Sequence, residues 1–360
     1  MIRNLATALV AMALLVLLGE AVMRTIIPAP LPWLDPQTLY QPDPALHYRM
    51  RPNQATFTAD KPCRTNGLGL RGGEIEIPKP AGVYRIMLLG DSIAFGFGVA
   101  EDDTFARLLE RRLNDGAHAM TRYQVVNAAQ PAFNTRQEVT YFAREGLQLD
   151  PDAVILALYW NDIHSEMLQH ADALGRLVEG PPEANVGAFG EFLMAAPIRR
   201  LRNFVKRSRL LYFITYRART IETRFSADNL SSTFMSVLLG RDDPRVEAGW
   251  RMVEAELQRL QAICRERSLP LLVAVMPMEE VLPDRFPRAE YPARVLELCR
   301  RNDLRCVDLH PPFREIAARG TSGFIDYDDA HPNEEGHRII ARELSAVLED
   351  TGVQTAVRTR

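Results

Sequence analysis

Five short apolar runs, each followed by a stretch with helical periodicity, constrain the fold of this chain more than any other feature. The runs are Tyr84–Leu89, Tyr123–Asn127, Ala153–Tyr159, Leu271–Met276 and Arg305–Leu309. They are short, rich in aliphatic residues and bounded by polar turns, as buried strands are. Between them, Thr104–Asn114 sets Phe105, Leu108, Leu109 and Leu113 on one face, with Thr104 or Asp103 as the cap. Thr135–Gln148, Val246–Arg267, Pro292–Asn302 and Asn333–Asp350 follow the same pattern. Strands alternating with helices predict an α/β fold: a central parallel five-stranded sheet inside a three-layer α/β/α sandwich. Right-handed crossovers then bring the C-terminal ends of the strands to one rim, where ligands bind.

The segments outside this pattern divide the chain. Residues 1–24 hold an uncharged apolar stretch, Leu5–Gly19, preceded by Arg3 and the terminal amine. We expect an N-terminal transmembrane helix with a cytoplasmic N-terminus and an exported, membrane-anchored, single-pass body. A cleaved signal peptide is the rival, although Leu18-Gly19-Glu20-Ala21 is a poor cleavage site. Residues 25–82 read as a proline-rich spacer and lead-in, with turns at Thr65–Glu74. The main domain spans 83–349 with an insertion at about 165–245, and 350–360 form a tail. Within the insertion, Pro197–Arg219 carries eight Arg and Lys residues interleaved with Ile198, Leu201, Val205, Leu211 and Tyr212. It reads as a surface helix with a solvated basic face, or as a helix resting on anionic lipid.

Charge and cysteine content narrow the function. A formal net charge of −3 over 360 residues does not suggest a nucleic-acid partner. Cys63, Cys264, Cys299 and Cys306 show no C-x-x-C and no pairing with His, so no metal site and no cofactor is expected. A core of this size needs no staples, and the expectation is free, buried thiols, with a disulfide open if the compartment is oxidising.

The chemistry concentrates on the predicted rim. The first strand ends in Gly90-Asp91-Ser92, where a tight turn exposes a hydroxyl beside unpaired backbone N–H groups. Ser92 is therefore placed as a nucleophile would be. A base is supplied by Phe324–His337, where His331 precedes Pro332 and a helical run. Asp328, three residues earlier, can bend back to the imidazole Nδ1–H; Asp326 and Asp329 are its rivals. His337 reads as a surface residue of the helix. Oxyanion donors are available in the side-chain amide of Asn161, after the third strand, and in the backbone at Ala128-Ala129, after the second.

Gly-Asp-Ser, N-A-A-x-P, Asn161-Asp162 and D-x-x-H, in this order, resemble the SGNH hydrolases, the GDSL-type esterases and lipases. The upstream "TNGLGLRG" looks like a membrane-anchored bacterial branch associated with envelope polysaccharide or lipid. The resemblance covers about residues 83 to 348 and implies a flavodoxin-like fold. It implies Ser92 as nucleophile, His331 and Asp328 completing the triad, and Ser92, Ala129 and Asn161 forming the oxyanion hole. Two positions depart from it. Ala129 stands where the family has glycine, and Tyr159, in place of another glycine, narrows the acyl pocket. The implied activity is a serine esterase on an acyl-ester substrate, carried by a glycan or a lipid. An envelope O-acyltransferase using the same residues and a non-catalytic scaffold on this fold are the alternatives.

Overall fold

The computed structural model describes residues 2–26, 33–115, 122–163, 169–172, 175–179, 196–211, 214, 230–282, 286–326 and 328–350. Helix α1 spans Ile2–Ile26. Two antiparallel ribbons follow: β1 (Tyr40–Asp43) with β2 (His47–Met50), and β3 (Ala55–Thr58) with β4 (Lys61–Arg64). The domain proper then runs β5 (Val83–Gly90), α2 (Ser92–Phe95), α3 (Phe105–Asp115), β6 (Arg122–Asn127), α4 (Thr135–Arg144) and β7 (Ala153–Leu158). A small ribbon, β8 (Gln169–Ala171) with β9 (Leu177–Glu179), and helices α5 (Ala196–Lys206) and α6 (Leu230–Leu239) come from the insertion. The chain closes with α7 (Pro244–Glu266), β10 (Leu271–Val275), α8 (Ala293–Arg301), β11 (Arg305–Asp308) and α9 (His310–Ala318). A hairpin, β12 (Phe324–Ile325) with β13 (Asp328–Pro332), leads into α10 (Glu334–Asp350).

The central sheet has five strands in the order β11-β10-β7-β5-β6, all parallel. All six residues of β7, in the middle, are buried, as expected of a strand covered on both faces. Helices α3 and α10 pack on each other, and α4 packs on α7. These pairs supply the covering layers.

The lead-in is built into the domain. The Tyr48 hydroxyl donates to the Pro131 carbonyl (2.9 Å), and Met50 N–H donates to Gln130 Oε1 (2.8 Å). Thr58 Oγ1 accepts from Gly98 N–H at 3.2 Å. Buried Arg71 donates to the carbonyls of Phe95 (2.8 Å), Gly96 (2.5 Å) and Val99 (2.7 Å), the chain leaving α2. One glycine of Thr65–Glu74 has a steric reason: a Cβ on Gly69 (φ +76°) would meet the Met50 carbonyl oxygen at 2.5 Å.

Three expectations need correction. Among the described residues, no helix is long and apolar enough to cross a membrane. Leu5–Gly19 offers 15 uncharged residues before Glu20, short of the ~20 that a span requires. Glu20 instead accepts from Ser208 Oγ (2.7 Å) and from the N–H groups of Arg209 and Leu210 (3.1 and 3.0 Å), tying α1 to the insertion. The cysteines are not all free. Cys299 and Cys306 form a disulfide, because the turn from α8 into β11 brings their Cα atoms to 6.2 Å; Cys63 and Cys264 remain free and buried. His337 is fully buried rather than on the surface. Its helix packs on α3, and its Nδ1 accepts from Phe105 N–H at 3.0 Å, satisfying a donor in the first turn of that helix. Of the basic stretch 197–219, residues 212–213 and 215–219 lie outside the described residues, as do the tail residues 351–360.

Candidate active site

Ser92 opens α2 directly after β5. Asp91 is its N-cap, accepting from Ile93 N–H at 2.8 Å, and Gly96 ends it in the left-handed conformation. Gly90 has φ +155°, and a Cβ there would meet the Ala94 Cβ at 2.6 Å. Only glycine lets the helix start so tightly against the strand. As the first helical residue, Ser92 has an N–H with no intrahelical acceptor.

β13 carries the imidazole to the same rim. His331 Nε2 lies 2.8 Å from Ser92 Oγ, across 239 residues of sequence. On the other side of the ring, Nδ1 lies 2.9 and 3.0 Å from the two carboxylate oxygens of Asp328. Asp328 makes this contact, while Asp326 is exposed. Burial pushes the Asp328 carboxyl up, but the bond and charge of His331, with backbone N–H groups at Ala330 and His331, hold it below its ordinary value. The carboxylate thus stays ionised and fixes Nδ1–H as the donor, leaving Nε2 to accept from the serine hydroxyl.

Asn161 lies in a 3-10 turn after β7. Its Nδ2 donates to Asp91 Oδ2 at 2.8 Å, and its Oδ1 is buried without a hydrogen-bond partner. A flipped amide would set an oxygen against the carboxylate, so Asp91 determines which end faces it. One N–H remains on Nδ2 for a developing oxyanion.

Residues 88–339 match the model of the GDSL-like lipase/acylhydrolase family. The chain belongs to this family. It is a serine hydrolase that acts on ester bonds. Solved structures similar to this GDSL-family hydrolase include a lipase/acylhydrolase from Enterococcus faecalis, with 14% identity, 74% of this chain and 96% of that one covered, and a TM-score of 0.41. An acetylxylan esterase from Geobacillus stearothermophilus, solved as a catalytic mutant, has 15% identity, 76% and 95% coverage, and a TM-score of 0.40. A putative lipolytic protein of the G-D-S-L family from Desulfitobacterium hafniense has 11% identity, 73% and 99% coverage, and a TM-score of 0.41. Among curated proteins none matches the chain.

The second expected backbone donor of the GDSL hydrolase is less open than the sequence suggests. Ala129 is fully buried, and its N–H donates to Asn127 Oδ1 at 3.2 Å. Asn127 Nδ2 in turn donates to the Ala94 carbonyl of α2 at 2.9 Å. To serve an oxyanion, the Ala129 N–H must share or release that long bond. Tyr159 is buried with its ring edge-on to Tyr291 and Trp160, at centroid distances of 6.1 and 6.0 Å.

Beneath the rim lies a group of buried carboxyls that sequence reasoning passed over. Asp162 accepts from Tyr159 N–H (2.7 Å) and Thr135 Oγ1 (3.0 Å), and both oxygens of Glu138 are buried with no hydrogen-bond partner. Burial raises all three of Asp91, Asp162 and Glu138 above their ordinary values, Asp162 and Glu138 most; repulsion from Asp91 pushes both of those further up, and Asp162 adds to the rise at Glu138. The N-cap role of Asp91 was visible in principle, because an Asp directly before a helix start is a capping signal. Its grip on Asn161 has no local signal, since 70 residues separate the two. Among the described residues no group of His, Cys, Asp and Glu could hold a metal ion.

Proposed function

We propose that this hydrolase cleaves carboxylic acyl esters, acetyl esters among them, through a covalent acyl-enzyme on an envelope glycan or lipid. The observation that supports this most is the 2.8 Å contact between Ser92 Oγ and His331 Nε2, with Asp328 behind the ring. His331 takes the hydroxyl proton as Ser92 Oγ bonds to the ester carbonyl carbon. The negative charge that collects on the carbonyl oxygen is met by Ser92 N–H and the free N–H of Asn161. His331 then hands its proton to the departing alkoxide oxygen, and the alcohol leaves. Water enters and repeats the sequence, releasing the acid and restoring the serine. A fluorophosphonate probe should label the wild-type protein and fail to label Ser92→Ala. Equal labelling of the two would sink the assignment of the nucleophile.

The proposal extends to location: a body exported and held at a membrane by α1 and α5. Val10, Leu14, Leu15, Leu17 and Leu18 of α1 are exposed, as are Leu201 and Phe204 of α5, with the basic residues Arg200 and Arg207 beside them. Apolar side chains flanked by arginines suit an anionic bilayer surface. The Cys299–Cys306 bond is at home in an oxidising compartment. Sedimentation with anionic vesicles, lost on Leu201→Glu/Phe204→Glu, tests the role of α5. Unchanged binding of that variant would remove α5 from the proposal.

A further inference from the structure

Two rings run outward from the catalytic imidazole. Phe97 lies against His331 with centroids 4.6 Å apart, and Trp33 lies against Phe97 at 5.0 Å. The contribution is non-local: Phe97 follows α2, whereas Trp33 comes from the lead-in. Trp33 is 49% exposed, whereas its neighbour Leu34 is 3% exposed. An exposed tryptophan beside a reaction centre calls for an explanation, because Trp is costly to leave in water.

This ring is also held in place. Leu34 N–H donates to the Ala59 carbonyl at 2.9 Å, and the Trp33 carbonyl accepts from Lys206 Nζ at 2.6 Å. Lys206 also pairs with Asp35 (2.8 Å), and Asn203 brackets Asp35 by accepting from its N–H (2.8 Å) and donating to its carbonyl (2.9 Å). Helix α5 of the insertion thus clamps the backbone that follows the indole. A preorganised ring loses little entropy when a ligand covers it.

We infer that Trp33 and Phe97 form a binding platform for a sugar ring in the alcohol half of the ester. The inference rests on the ester-hydrolase reading above and names the substrate class of that same site. The side is set by chemistry. His331 must protonate the departing alkoxide, so the leaving alcohol sits by Nε2, while the oxyanion lies towards Asn161. Rings that extend from His331 therefore flank the alcohol rather than the carbonyl oxygen. The surroundings favour a sugar over an alkyl chain. Beyond Ala59, Asp60 and Lys61 turn towards Glu334, three residues after His331, with Lys61 Nζ 3.6 Å from Glu334 and 4.0 Å from Asp60. An open aromatic face with polar groups on the adjoining chain segments presents both partners a pyranose needs: a surface for its C–H face, and donors and acceptors for its hydroxyls. A long alkyl chain would call for an enclosed apolar groove instead.

The test compares leaving groups in the full chain. Trp33→Ala should lower kcat/KM for acetylated xylo- and manno-oligosaccharides about tenfold, through KM, the size expected for one aromatic contact. It should change hydrolysis of ethyl acetate by less than about twofold, and Trp33→Phe should recover most of the loss. Equal effects on sugar and ethyl esters, or none on either, would overturn the platform. So would a loss on dodecyl acetate without one on the sugars, which would assign the rings to a lipid alcohol. Binding is read separately. Trp160 and Trp250 are buried, so Trp33 is the tryptophan that reports contact with a ligand from solvent. Ser92→Ala titrated with the unacetylated oligosaccharides should show a saturable fluorescence change, absent from Ser92→Ala/Trp33→Phe. A fluorescence change without any esterase activity in the wild type would defeat the hydrolase reading and keep the platform. Esterase activity with flat fluorescence and a silent Trp33→Ala would do the reverse.

Discussion

Replacing Asp91 with asparagine separates catalysis from folding at a side chain that touches both α2 and Asn161. In the native protein one carboxylate oxygen caps α2 through Ile93 N–H and the other orients Asn161. Asparagine keeps an oxygen for the cap but turns an NH₂ towards the NH₂ of Asn161, donor against donor. Asn161 must then rotate or withdraw, and its free N–H leaves the oxyanion position. Loss of one such donor costs about 2.7–4 kcal/mol in the barrier. A displaced donor should cost roughly 2–3 kcal/mol, or about 30- to 150-fold in kcat. Stability should move much less. Asp91 is fully buried and burial raises its carboxyl, so removing the charge offsets part of the lost hydrogen bond. We expect a change in Tm within about 3 °C. The assay is kcat and KM for 4-nitrophenyl acetate, beside a thermal melt, for Asp91→Asn, Asn161→Ala and the double variant. Because Asp91 acts through Asn161, the double variant should be no slower than Asn161→Ala alone. A kcat for Asp91→Asn within about threefold of wild type, or losses that multiply in the double variant, would refute the reasoning.

Other outcomes follow from the buried groups. Burial, with Arg71 and His331 nearby, takes the His337 imidazole down to about 3. Its contribution is complete above the ordinary histidine value near 6.5 and is lost as pH falls towards 3, by at most roughly 5 kcal/mol. His337→Gln should flatten the acid limb of a Tm–pH profile, and an unchanged limb would show that His337 does not govern it. Glu138 has the opposite sign: its raised carboxyl destabilises the fold progressively as pH rises from its ordinary value towards the folded one. Glu138→Gln should therefore weaken the fall in Tm as pH rises above the ordinary carboxylate range, measured by differential scanning calorimetry. Arg71→Met removes three charged hydrogen bonds to the chain leaving α2, and should cost at least about 3 kcal/mol in denaturant unfolding together with a fall in kcat. An acetyl ester supplied with and without oligosaccharide should release the same acetate by mass spectrometry; acetyl transfer to the sugar at the expense of acetate would mark a transferase.

The legible parts of this protein are those written in local pattern. Each strand of the central sheet is an apolar run, and each covering helix an amphipathic repeat, because a sheet buried on both faces and a helix buried on one impose those periods directly. Asp328 and His331 are three residues apart, so their contact is nearly a local property. The ribbons of the lead-in were not legible: four-residue strands carry too few alternations to stand out from a proline-rich spacer. Nor was the burial of His337, since its partner Phe105 lies 232 residues away and nothing in the helix that carries it marks that face as covered.

Sequence alone determined the layered α/β sheet, the hydroxyl at the end of its first strand, and the imidazole with its carboxylate near the C-terminus. Tertiary structure alone decided that these meet, that Asp91 rather than solvent holds Asn161, and that Arg71 and Trp33 of the lead-in pack against the chain leaving α2. The physical reason is range. Periodicity and capping act over a few residues and leave a mark in the chain. Contacts across scores or hundreds of residues form only when separate elements are packed, and each residue that makes them looks ordinary where it stands.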